Sequence, residues 1–289
     1  MNKADGAKEP HMHENSLNKP ASVSDEVWQE ALSASPQELR SLIRDEKFQA
    51  PTSGLCPGYA QANLIILPKQ DAYDFLLFAQ RNPKPCPLLE VSDPGDMFTR
   101  ICANEANIAT DFPRYRIYEH GELVQEATNV LDFWRDDLVS FIIGCSFSFE
   151  SELVEAGLEI RHNTMGVNVP MYLTGVDCVP AGKMSGKMVM SMRPYLPKDA
   201  IKAVQLSGAI PQVHGAPMHL GDPSLIGIRD INKPEFGDAV VIKNGEIPVF
   251  WACGVTPQSV VMNSKPAFAI THAPGYMLVT DTKNANLKG

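Results

Sequence analysis

Residues 187–192, Lys187-Met188-Val189-Met190-Ser191-Met192, alternate three methionines against Lys187, Val189 and Ser191. Successive side chains of a strand leave opposite faces, so this period of two predicts a half-buried strand. Working outward, the apolar runs 239–243, 247–252, 267–271 and 276–280 are further strand candidates, most of them separated by Gly or Pro. Residues 60–67 read as a short strand or a buried turn, and 114–119 with 122–126 form a hairpin pattern around His120-Gly121. Helix signals interleave with these. Ser24 before Asp25 and Glu26 predicts a capped helix through Leu32, and Ser35-Pro36-Gln37-Glu38 starts a second one running to about Asp45. Residues 71–82 predict a helix with Tyr73, Phe75, Leu76 and Phe78 inward. Residues 134–144 predict an apolar helix, 149–156 a helix ended by Gly157, and 197–205 another. The Pro-rich stretch 83–90 predicts an extended loop. Strands and helices alternating along the chain predict a mixed α/β fold.

The 289 residues are enough for one large domain or two ordinary ones, and residues 1–20 read as a disordered leader. A net charge of −9 with no Lys/Arg run argues against a nucleic-acid partner, which needs a clustered basic face. The uncharged run of residues 247–264 contains Pro248, Gly254 and Pro257 and makes a poor membrane helix. No apolar signal-peptide core opens the chain, and the six cysteines stand singly with no C-x-x-C pair. Together these predict a cytoplasmic protein with reduced thiols and no structural zinc. There is no Rossmann glycine fingerprint and no P-loop. Residues 141–289 hold 24 charged side chains against 35 in 1–140, yet 15 of the 20 glycines, so each ionisable group there stands out as a site candidate.

Four segments combine reactive side chains with Gly and Pro: GCSFSFE (144–150), 168–194, HGAPMHLGDP (214–223) and THAPGYMLVTD (271–281). Together with NVPMY (168–172), SMRP (191–194) and PVFWACGVTPQ (248–258), they resemble the hydro-lyase family typified by the bacterial YcsI protein. That module is also present in the animal D-glutamate cyclase. The resemblance runs from about Ser35 to Lys283. It implies an α/β fold in two parts and, through the animal relative, conversion of D-glutamate to 5-oxo-D-proline with loss of water. The expected architecture is a three-layer α/β/α main part from residues 21–165 and 229–289, with a smaller two-layer α+β part, residues 166–228, inserted between them.

Removing water from a small acid needs a proton acceptor, a proton donor to the departing oxygen and donors for a carboxylate. Histidine suits the proton transfers and arginine the carboxylate. His214, His219 and Asp222 lie within nine residues and converge if their loop folds back; the alternative is local turn chemistry. His272 stands at a predicted strand end, where α/β sheets commonly bind ligands, or is a buried structural histidine. Cys145, Ser146, Ser148 and Glu150 surround a helix start that offers an anion cradle, a capping serine, or a cysteine of depressed pKa. Arg193 faces a substrate carboxylate or pairs with a carboxylate at the surface. Asn168, Tyr172 and Thr174 add hydrogen bonds or serve turns. The methionine cluster reads as adaptable packing. No cofactor is expected, although His214, His219, Asp222 and His272 leave a divalent metal open. The expected partners are a small carboxylate substrate and a second copy of the chain, with no nucleic acid or membrane. The expected function is a hydro-lyase acting on a small amino or hydroxy acid, and the alternative is a non-catalytic small-acid-binding protein that keeps the pocket.

Overall fold

The computed structural model describes residues 17–289. The expected leader therefore lies mostly outside the described residues, as do His11 and His13. Helix α1 (Asp25–Ser33) is capped by the Ser24 side chain accepting from the Val27 amide. Helix α2 (Pro36–Arg44) opens with a full capping box between Ser35 and Glu38 and with Pro at its first turn. Strand β1 (Tyr59–Pro68) follows, then α3 (Lys69–Arg81) and β2 (Leu88–Val91). The hairpin is β3 (Tyr115–Glu119) and β4 (Glu122–Ala127). Next come β5 (Leu138–Gly144), α4 (Phe147–Glu155) and α5 (Arg161–Met165). The remaining elements are β6 (Met171–Asp177), β7 (Lys187–Tyr195), α6 (Pro197–Gly208), β8 (His219–Leu220), β9 (Ile247–Ala252), α7 (Thr256–Ser264), β10 (Ala269–His272) and β11 (Leu278–Lys283).

The mixed α/β expectation holds, and the strands form two antiparallel sheets. The larger runs β2-β5-β1-β10-β3-β4, with β11 also paired to β1; the smaller runs β6-β7-β9-β8. Strand β1 is the spine of the first. It pairs with β5 over seven positions, from Ala62↔Gly144 to Pro68↔Leu138, and with β10 through Ile65↔Thr271. One apolar cluster unites Ile65, Phe141 and the α3 side chains Phe75 and Phe78 with Met190, Met192 and Phe250 of the smaller sheet. The opposite face of the larger sheet, with Leu64, Ile142 and Ile270, is covered by Cys102, Ala106, Ile108 and Phe112 of an irregular segment rather than by helices.

Several local expectations change. Residues 134–144 are not a helix: 138–144 is β5, buried along its whole length. Its β-branched Val139, Ile142 and Ile143 favour a pleated strand, and with both faces buried it shows no alternation to distinguish it from an apolar helix. Residues 239–243 form no strand, and part of the Pro-rich loop pairs as β2. In α3, Phe75 and Phe78 point inward, but Tyr73 is 71% exposed and Leu76 41%. Strand β7 is buried on both faces rather than one. The uncharged run splits into β9 and α7, and among the described residues no helix is long and apolar enough to cross a membrane. Strand β9, expected with the main part, joins the smaller sheet through its pairing with β7, Met190↔Ala252 to Tyr195↔Ile247. All six cysteines are buried and unbridged.

Candidate functional site

Strand β7 delivers Arg193 into the interior, where it is 0% exposed rather than at the surface. Its guanidinium lies 5.2 Å from the Phe149 ring centroid and 5.4 Å from that of Trp251. Nε donates to Glu150 Oε1 at 2.9 Å, Nη2 donates to Glu150 and, at 3.0 Å, to Ser146 Oγ, and Nη1 donates to Ser191 Oγ at 3.0 Å. Arg193 is therefore committed to a carboxylate of its own chain. Glu150, on α4, is equally buried and also meets His162, with Nε2 3.3 Å from Oε1. Burial opposes ionisation of Glu150, but its contacts with His162 and Arg193 outweigh burial and hold its pKa down to about 2.

His162 stands on α5, whose position is fixed from outside. Arg161 binds Glu159 at 2.8 Å and Glu246 at 2.7 Å, and Gly166 closes the helix in the left-handed region. The His162 ring stacks on Phe147 with centroids 6.1 Å apart. Ser53 Oγ sits 3.3 Å from His162 Nε2 and 3.2 Å from Glu150 Oε2, and donates to Asn163 Oδ1 at 2.7 Å. The loop carrying Ser53 is tied to β1 and to the 273–277 turn through Thr52. Thr52 Oγ1 donates to Gln61 Oε1 at 2.7 Å and accepts from the Met277 amide at 3.1 Å, and the Thr52 amide donates to Gly275 O at 3.0 Å. Glu150 and Ser53 meet the same nitrogen of His162, so this is not the relay of a Ser–His–acid triad, in which acid and nucleophile use opposite ring nitrogens.

Cavities lie on both sides of the cluster. One, of about 240 Å³, is walled by Glu150, Asn163, Gln61 and the 54–59 loop. The other, of about 340 Å³, is walled by Ser53, His162, Asn163, Asn168 and Tyr276. Asn168 closes the second: Nδ2 donates to Pro274 O at 2.9 Å, and Oδ1 accepts from Val169 N–H. The residue after Pro274, Gly275, has φ +92°, and a Cβ there would fall 2.5 Å from Asn168 Nδ2. Gly275→Ala is expected to cost about 1–3 kcal/mol, from the strained φ and the displaced Asn168; a urea titration with an unshifted midpoint would contradict that.

The other expected site residues are dispersed. His219 does not meet the Asp222 carboxylate: its Nε2 contacts the Asp222 backbone oxygen at 2.7 Å, while the exposed Asp222 side chain caps Ser224. That pair is turn chemistry. His214 and His272 are both buried but serve different places. His214 Nδ1 donates to Lys84 O at 2.7 Å, and His272 Nδ1 accepts from Leu64 N–H at 3.1 Å with its ring 6.4 Å from that of Phe112. Burial drives each of them down to about 4. Tyr172 donates to Ile231 O at 2.6 Å, and Thr174 to Met188 O at 2.7 Å. Burial raises the Cys145 thiol, opposite to the expected depression. Neither candidate serine caps α4. Ser146 accepts from Arg193, and Ser148 accepts from Gln61 N–H at 2.9 Å. Among the described residues, no three His, Cys, Asp or Glu side chains converge as metal ligands, so the set built on His214, His219, Asp222 and His272 does not assemble. Of the expected residues, Glu150, Arg193, Ser146 and Asn168 come to the cluster and its cavities. His162, Ser53 and Asn163 were not anticipated; their one sequence signal is that Glu150 needs a buried partner.

Residues 139–281 match the family model described as D-glutamate cyclase. A protein of Clostridium beijerinckii named "Putative hydro-lyase" is 62% identical over 88% of this chain and 97% of its own length. One of Bacillus subtilis, named "Putative hydro-lyase YcsI", is 55% identical over 87% and 98%. One of Corynebacterium glutamicum, again named "Putative hydro-lyase", is 59% identical over 86% and 94%. A solved structure, a nitrogen repressor-like protein from Methanococcus jannaschii, aligns at TM-score 0.33 and 10% identity over 85% of this chain and 98% of that one, too distant to define a shared fold. The chain belongs to the YcsI-like hydro-lyase family, as the resemblance implied.

Proposed function

We propose that this protein removes water from a small amino or hydroxy acid, and that its reaction is the cyclisation of D-glutamate to 5-oxo-D-proline. The reading rests on one observation: an imidazole, a hydroxyl and a buried carboxylate meet between two cavities in a chain of this family. In the cyclisation, the amine nitrogen attacks the side-chain carboxyl carbon, a C–N bond forms, a C–O bond breaks and water leaves. Starting from an ammonium and a carboxylate, two protons pass from nitrogen to the departing oxygen. One group able to take a proton and return it serves both transfers, and histidine does this near neutral pH. In this assignment His162 is that group, Glu150 holds its ring in position, and the Ser53 hydroxyl, turned from Asn163 toward the substrate, hydrogen-bonds the oxygen that leaves without giving up its proton.

His162→Asn should lower turnover by about 10²–10⁴-fold, the usual weight of a proton-transfer group, with the circular dichroism spectrum unchanged. The assay is detection of 5-oxoproline by mass spectrometry from D-glutamate and a panel of amino and hydroxy acids. Turnover at the wild-type rate in the folded variant would remove His162 from the mechanism. Saturable binding with no product from any acid in the panel would instead support a non-catalytic acid-binding protein.

A further inference from the structure

A third cavity, of about 420 Å³, opens beside the hairpin β3–β4 and is walled by Arg114, Arg116, Glu126, Asn168, Glu235 and Tyr276. Its two guanidiniums differ. Arg116 is engaged, its Nε donating to Glu126 Oε1 at 2.7 Å. Arg114 is not: its nearest carboxylate oxygen is Glu126 Oε2, 3.9 Å from Nη1, beyond hydrogen-bond reach. Among the described residues, Arg114 Nε is buried with no hydrogen-bond partner. Such a donor costs stability unless something accepts from it. The group is nevertheless held in place, with its guanidinium carbon 5.9 Å from the Tyr276 ring centroid and its backbone oxygen accepting from Ala273 N–H at 2.9 Å. At the rim, Glu235 commits one carboxylate oxygen, Oε2, to the Leu173 amide at 2.9 Å.

We infer that Arg114 anchors the carboxylate of an α-amino acid whose ammonium faces the Glu235 carboxylate. A planar fork with spare donors matches a carboxylate. A cavity with two arginines and two glutamates suits a zwitterion better than a simple anion, because it offers both signs in place of a net positive field. The site is joined to the candidate catalytic cluster. Asn168, Gly237 and Tyr276 wall both this cavity and the one bounded by Ser53 and His162. The choice of an amino acid rests on the function proposed above; the anchoring role of Arg114 rests on the geometry of this cavity.

Calorimetric titration of the full chain with D-glutamate, and with glutarate, which lacks the amine, tests both parts. Arg114→Ala should weaken both ligands by about 10–100-fold, the weight of a charge-assisted hydrogen bond, and Arg114→Lys should recover only part of the loss. Glu235→Gln should weaken D-glutamate and leave glutarate unchanged. The inference fails if Arg114→Ala, with an unaltered circular dichroism spectrum, binds D-glutamate as tightly as the wild type, or if the wild type shows no saturable binding of either ligand. Because the readout is binding, it separates from turnover: wild-type binding lost in Arg114→Ala while His162→Asn still turns over overturns the assignment of His162 alone.

Discussion

Arg193→Met is expected to destabilise the protein by about 3–5 kcal/mol, and Glu150→Leu by a similar amount, each read as a shift of the urea midpoint at unchanged slope. The magnitude follows from burial. Arg193 is fully enclosed, so its removal leaves Glu150 in the interior with His162 and Ser53 as its remaining partners. Glu150 is then a charge without its guanidinium, and the bonds to Ser146 and Ser191 are lost with it. Removing Glu150 instead strands the cation between Phe149 and Trp251. The pair itself is a different matter. Two desolvated charges attract strongly but were costly to take out of water, so replacing both with apolar groups restores much of what either change loses. The double variant Glu150→Leu/Arg193→Met should therefore be markedly more stable than the sum of the two single changes. Single variants within about 1 kcal/mol of wild type, or strictly additive losses, would show that the pair is not the locked core described here.

How much of this was legible in sequence follows from how far each signal travels along the chain. Caps are written within four residues, and both N-terminal helices start where Ser24 and Ser35 place them. The hairpin was legible for the same reason, its two strands being joined by His120-Gly121. Strand β5 was not, because burial on both faces erases the alternation that reveals a strand; only its seven-position pairing with β1, seventy or more residues earlier, decides it. The site divides along the same line. Glu150 and Arg193 are visible as rare charges in a charge-poor half, where Arg193 reads equally as facing a substrate carboxylate or as paired with a carboxylate at the surface. That it already holds Glu150 depends on a contact across 43 residues. His162 and Ser53 are 109 residues apart and sit in segments with no motif, so nothing local marks them as neighbours. The favoured histidines had the opposite fault: the spacing of His214, His219 and Asp222 is suggestive, but His219 and Asp222 build a turn while His214 is bonded to Lys84 O.

His214 and His272 should make the protein acid-labile in a defined window. Each is fully buried, and burial is what makes it resist a second proton. Nδ1 of His214 already donates to Lys84 O, so the proton would go to Nε2, which has no partner among the described residues. Nδ1 of His272 accepts from Leu64 N–H at 3.1 Å, with Leu64 O 3.3 Å from the same nitrogen. Burial lowers both to about 4 from an ordinary 6.5, outweighing the backbone hydrogen bonds to Lys84 and Leu64, which act the other way. Between those values the unfolded chain binds protons that the folded chain refuses, so stability rises with pH across the window. It is fully present above about pH 6.5 and lost as pH falls from there to 4. At about 1.4 kcal/mol per pH unit, each histidine contributes about 3 kcal/mol, and the two together a large fraction of the roughly 5–15 kcal/mol that holds an ordinary domain folded. Glu150 acts in a lower range. Its pKa of about 2 lies below the usual 4.5, so its contribution is present above 4.5 and lost only below it. Urea unfolding at intervals from pH 7.5 to 4 should thus show a steep loss that precedes carboxylate protonation. The double change His214→Asn/His272→Asn keeps a short polar side chain at each position, and asparagine tolerates the positive φ of 83° at residue 214. It should flatten the slope between pH 6.5 and 4 while leaving the fall below 4.5 in place. An unchanged slope in that variant would assign the acid sensitivity to groups other than these two.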